Sequence, residues 1–67
     1  MTDTERLHEH IQRSGYKLNY LAQEMGICPN TLRLKLLGES EFKVSEAQKL
    51  AERLALSEEE RKRCFWS

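Results

Sequence analysis

The sequence lacks most of the features that declare a function. Two cysteines among 67 residues are too few for a disulfide framework, so Cys28 and Cys64 each read as a small packing residue or a free thiol in a reducing compartment. With His8 and His10 they make a poor zinc site. The cysteines are far apart in sequence, and residues two apart on a helix point in different directions. No apolar run is long enough to span a bilayer, and the opening MTDTERLHEH has no signal-peptide apolar region, so the expectation is a soluble, cytoplasmic protein. Formal net charge is zero, which argues against a nonspecific architectural protein, since that role calls for a broad positive surface. No nucleophile pairs with a base, and there is neither a phosphate-cradling glycine loop nor a metal set. An enzyme is therefore not expected, nor is a cofactor.

Period-two alternation is missing as well, and every segment reads as helix. Thr2 with Glu5 suggests a capping box, Leu7 and Ile11 give an i,i+4 stripe, and Ser14-Gly15 supplies the stop. Leu18, Leu21, Ala22 and Met25 share one face of a second helix, which ends at Gly26. A third begins after Cys28, with the one proline, Pro29, at the first helical position, where its missing N–H has no intrahelical partner anyway. Gly38 closes that helix. Residues 39–44 form a loop anchored by Phe42. Ser45 to Gln48 is another capping-box pattern, leading into Leu50, Ala51 and Leu54. Ser57 to Glu60 is a third, with an acidic first turn that suits the helix dipole. Five short helices with brief connections predict one compact all-α domain over residues 1–67. A chain this small buries only about 60% of its unfolded surface, so its core must be packed efficiently or extended by a partner subunit.

Charge is unevenly placed. Residues 10–38 carry Arg13, Lys17, Arg33 and Lys35 against Glu24 alone, whereas residues 39–60 hold seven acidic and three basic groups. The positive bias falls on the third helix, and so does a puzzle. Leucines occur on both of its sides: with Leu32 and Leu36 facing inward, a rotation of about 100° per residue leaves Asn30, Leu34 and Leu37 facing mostly outward, with Thr31 and Lys35 on one flank and Arg33 on the other.

The order Leu21-Ala22-x-x-x-Gly26-Ile27, followed by Leu32, is the spacing that a helix-turn-helix requires. It places helix 2 at about 18–25, the turn at about 26–28 and a recognition helix at about 29–37. The Ala22 methyl allows a close crossing, Gly26 can take positive φ without strain, and Ile27 plugs the corner. On the stretches LAQEMGICPNTLRLKLLG and SEFKVSEAQKLAERLAL, nearly the whole chain resembles the phage repressor and Cro type of helix-turn-helix, the lambda-repressor-like five-helix domain. It looks most like small stand-alone phage or prophage members. The sequence departs from that family at Leu18, where members often carry a phosphate-contacting glutamine, and at Cys28, where a Ser or Thr often caps the third helix.

The resemblance implies a transcriptional regulator in the bacterial host cell that binds double-stranded operator DNA, commonly as a homodimer, with the third helix in the major groove. Carried onto this sequence, the base-contacting positions are Cys28, Pro29, Asn30, Thr31, Arg33 and Leu34. Asn30 suits a paired hydrogen bond to adenine N6 and N7, and Leu34 suits a thymine methyl. The backbone-contacting positions are Lys17, Asn19, Lys35, Leu37 and Lys43. Each has a plainer alternative: Asn and Thr are common in first helical turns, surface lysines are usually just solvated, and Leu34 with Leu37 can be scattered apolar groups or a protein-binding patch for a repressor-type partner. Phe65 and Trp66 either close the monomer core or supply a dimer interface, where aromatics are enriched.

Overall fold

The computed structural model describes residues 2–66. They form five helices and no strand: α1 Thr4–Ser14, α2 Leu18–Met25, α3 Pro29–Leu36, α4 Val44–Arg53 and α5 Glu58–Phe65. Among the described residues, no helix is long and apolar enough to cross a membrane. Helix α2 packs on both α3 and α4, while α1 packs on α5 and α3. The body measures 27 × 23 × 20 Å.

The core follows from the apolar stripes. Leu7, Leu21, Leu32, Leu50 and Cys64 are completely or almost completely buried, one contributed by each helix. Ala22 is buried with them, while Leu18, Ile27, Phe42, Leu54 and Leu56 pack partly buried against this cluster. Phe42 meets Phe65 edge-on at 5.5 Å between ring centroids, so the loop after α3 is pinned to α5 through two aromatic rings. Burial pushes the Cys64 thiol above its ordinary pKa, as expected of an inert packing group.

The helix ends show where local rules compete. At α1 the N-cap is Asp3, whose carboxylate accepts the Arg6 N–H at 3.1 Å; the Thr2–Glu5 box does not set this terminus, because Asp is the better cap and starts the helix one residue later. Helix α4 shifts the other way and begins before Ser45. Its N-cap is Lys43, and Glu46 at the third helical position reaches back to accept the Lys43 N–H at 2.9 Å. The expected box at Ser57 forms in full: Ser57 Oγ accepts the Glu60 N–H at 3.1 Å and Glu60 accepts the Ser57 N–H at 2.9 Å. Those hydrogen bonds hold the Glu60 carboxyl below its usual range.

Two corners share one hydrogen-bond pattern and differ in one residue. After α2, the Gly26 N–H bonds the Gln23 carbonyl and the Ile27 N–H bonds the Ala22 carbonyl, with Gly26 at φ 75°. A Cβ there would touch nothing within 4 Å, so the dihedral alone favours glycine. After α4, the Ala55 N–H bonds Glu52 and the Leu56 N–H bonds Ala51 in the same way. That corner is held by an alanine at φ 55°, in the left-handed region that L-residues resist.

Candidate functional site

The α2–α3 corner presents α3 to solvent with two unlike sides. Leu32 and Leu36 are 0% and 2% exposed, whereas Leu34 is 39% and Leu37 63% exposed. Pro29, Asn30 and Arg33 are exposed beside the outer leucines, and Thr31 is half-buried on the flank. Helix α3 ends at Leu36, with Leu37 as its C-cap and the Glu39 N–H returning to the Leu34 carbonyl at 3.1 Å.

Cys28 occupies the N-cap of α3, exposed, with its Sγ 3.0 Å from Thr31 Oγ1. The Thr31 hydroxyl, followed by nearby backbone N–H groups, lowers the pKa of the thiol. Sulfur thus fills the place a Ser or Thr oxygen takes in a good cap, while making no side-chain hydrogen bond of the N-cap type to the helix.

Of the positions expected to meet a phosphate backbone, Lys17, Asn19, Leu37 and Lys43 are exposed. Lys17 is the N-cap of α2, which has no side-chain cap, leaving its first N–H groups available to an acceptor. Among the described residues, no ion pair engages Lys17, Arg33 or Lys43, whereas Arg6, Arg13, Arg53 and Arg63 each have a carboxylate partner.

Lys35 overturns its expected placement. Its residue is 6% exposed, and its ammonium sits 2.9 Å from Glu46 Oε1 and 2.7 Å from the Glu41 carbonyl oxygen. The Phe42 ring centroid is 5.9 Å away. A charge sequestered in this way cannot also neutralise a phosphate. Helical rotation put it on the flank correctly, but the loop after Gly38 folds back and covers that flank.

Tyr16 and Tyr20 are not among the residues the sequence pattern points to. Their rings lie 5.1 Å apart at a tilt of 34°, both exposed, beside Lys17 and Asn19 at the start of α2. Tyr16 precedes the N-cap Lys17 and Tyr20 lies in the first turn of α2, so the pair spans the helix start and belongs to no stripe within a single helix. At the other end of the chain Phe65 is 7% exposed and Trp66 54%, with their rings edge-to-face at 6.0 Å. Phe65 belongs to the monomer core, and Trp66 is open to solvent.

His8 is exposed and His10 half-buried; among the described residues, no group of three or more His, Cys, Asp or Glu side chains is placed to hold a metal. Comparison with protein-family models, curated proteins and solved structures gives no match.

Proposed function

We propose that this protein is a sequence-specific DNA-binding transcriptional regulator of the phage repressor or Cro type, with α2 and α3 acting as a helix-turn-helix and α3 entering the major groove. One observation carries the reading. The outer side of α3 holds Asn30, Arg33 and Leu34 in solvent, while Leu32 and Leu36 fix the helix to the core from the other side. A groove-reading helix needs that division, with hydrogen-bonding and methyl-contacting groups near its N-terminal half. Unpaired Lys17, Arg33 and Lys43 supply cations for phosphates, and the uncapped start of α2 offers N–H donors where Leu18 has no side-chain donor.

In this reading the protein works in the cytoplasm of a bacterial host, on the nucleoid, with no catalytic role and no cofactor. It acts as a homodimer on a partly palindromic operator. Two copies of α3 would then lie about 34–36 Å apart, one helical turn of DNA, and Trp66 is the exposed aromatic available for the contact between subunits. Selection of bound oligonucleotides from a random pool tests the proposal: one enriched motif with dyad symmetry is expected, and a pool that stays random counts against it. Binding should fall steeply with salt, by about 0.9 in log–log slope for each phosphate neutralised.

A second reading rests on the 63% exposure of Leu37 beside Leu34. The same scaffold can bind a repressor-type protein through that leucine face. It gains if the protein enriches no DNA while a Leu34→Glu variant loses a protein partner.

A further inference from the structure

Glu46 is 8% exposed and Lys35 6%, and together they form the one buried charged junction among the described residues. The single carboxylate oxygen Oε1 receives two donors. One is the Lys35 ammonium from the last turn of α3, at 2.9 Å. The other is the Lys43 N–H at the start of α4, also at 2.9 Å. The same ammonium also donates to the Glu41 carbonyl at 2.7 Å, inside the loop that joins the two helices. Three pieces of chain therefore meet at one ion pair: the end of α3, the loop 39–43 and the first turn of α4. Burial alone would raise the Glu46 carboxyl, but the Lys43 N–H and Lys35 outweigh it and lower its pKa.

An ion pair in this position is a costly way to gain stability. Buried pairs can often be replaced by neutral side chains of similar size with little loss or even a gain, because desolvation offsets the attraction. Directional hydrogen bonds do something that leucine packing does not: they set the roll of a helix about its own axis. Leu32 and Leu36 hold α3 to the core by apolar contact alone. Lys35 Nζ adds two directed contacts on the flank, to Glu46 in α4 and to Glu41 in the loop.

We infer that Lys35 and Glu46 are positioning residues, which fix the roll of α3 and couple it to Lys43, so that Asn30, Arg33 and Leu34 on one side and the Lys43 cation on the other meet a duplex in register. The inference rests on the DNA-binding reading above and extends it to residues that touch no DNA.

The test is the double substitution Lys35→Met with Glu46→Gln. It leaves no unpaired buried charge, and the Gln oxygen can still accept the Lys43 N–H. Affinity for the selected DNA sequence and for random duplex is measured on both proteins, at a temperature where circular dichroism shows both folded. The expected result is a loss of about tenfold for the selected sequence, the scale of one paired base contact, with random-duplex affinity nearly unchanged because phosphates dominate it. A merely structural role would leave the ratio of the two affinities at its original value, and that outcome overturns the inference while sparing the DNA-binding reading. A wild-type protein that selects no sequence would overturn both. Should the double variant fail to fold, lysine-side-chain NMR of the wild type decides instead. A slowly exchanging, protected Lys35 ammonium is expected, and a freely exchanging one removes the junction on which the inference stands.

Discussion

The two leucine pairs in α3 and its C-cap are chemically identical and physically opposite. Leu32 and Leu36 lie in a core where each helix contributes a buried side chain, whereas Leu34 and Leu37 meet solvent within a turn of them. Residue type therefore says little about the role of a leucine on this helix; angular position says nearly everything. Removing an inner leucine takes apolar surface out of a packed cluster and leaves a cavity. Removing an outer one takes away a surface that only a partner could use.

The largest break in that comparison is expected from Leu32→Ala. A destabilisation of about 2–5 kcal/mol, read by urea or thermal unfolding, would consume much of the stability of a domain this small. Unfolding unchanged from wild type would mean that α3 is not seated as described. Under the DNA-binding proposal, Asn30→Ala is the counterpart on the outer side. Unfolding should stay within about 0.5 kcal/mol of wild type, while discrimination at one base pair of a selected operator drops by about 1–3 kcal/mol. Equal loss at every position would make Asn30 a phosphate contact instead.

Acid sharpens the comparison from inside. The pKa of Glu46 is lowered in the fold, so its contribution to stability is fully present above the unfolded glutamate value of about 4.3. That contribution is lost as pH falls through the lower folded value. Glu46→Gln should flatten the acid limb of the stability–pH curve, and an unaltered limb would assign acid sensitivity to other carboxylates. A smaller gain is expected at the corner after α4. Ala55→Gly relieves a left-handed alanine but adds freedom to the unfolded chain, for a net stabilisation of about 0.5 kcal/mol, visible as a rise of about 2–4 °C in melting temperature. Smallest of all is Leu37→Ser, expected to leave unfolding within about 0.5 kcal/mol. A marked drop would show that this leucine supports the core.

Much of this fold was legible because its signals are local. Apolar spacing located the helices, and glycines at 15, 26 and 38, all at positive φ, marked three of their ends. Inner and outer sides of α3 followed from rotation alone. The caps of α1 and α4 shifted by one or two residues, since Asp3 competes with Thr2 and Glu46 answers to Lys35 as well as to its own helix. The burial of Lys35 was not legible: its partners lie in a loop and in the next helix, and lysine carries no sign of burial in its identity. The corner at Ala55 gave no warning either, because the residue that normally announces such a turn is missing. On the outer side, the sequence pointed to Asn30, Arg33 and Leu34 but passed over the tyrosine pair at the start of α2. Exposed aromatics lie outside the apolar stripes that mark a core.

Trp66 is the sole indole in the chain, and it stands largely open beside the buried Phe65. The molecule thus carries its own optical reporter at the end of α5. Emission from a wetted ring lies toward the red, and quenching by added iodide should be efficient in dilute solution. If two copies meet through that ring, raising the protein concentration will shift emission to the blue and shield it from quencher, with no label attached. The same spectrum, followed while an oligonucleotide is added, separates pairing in free solution from pairing that happens only on the duplex.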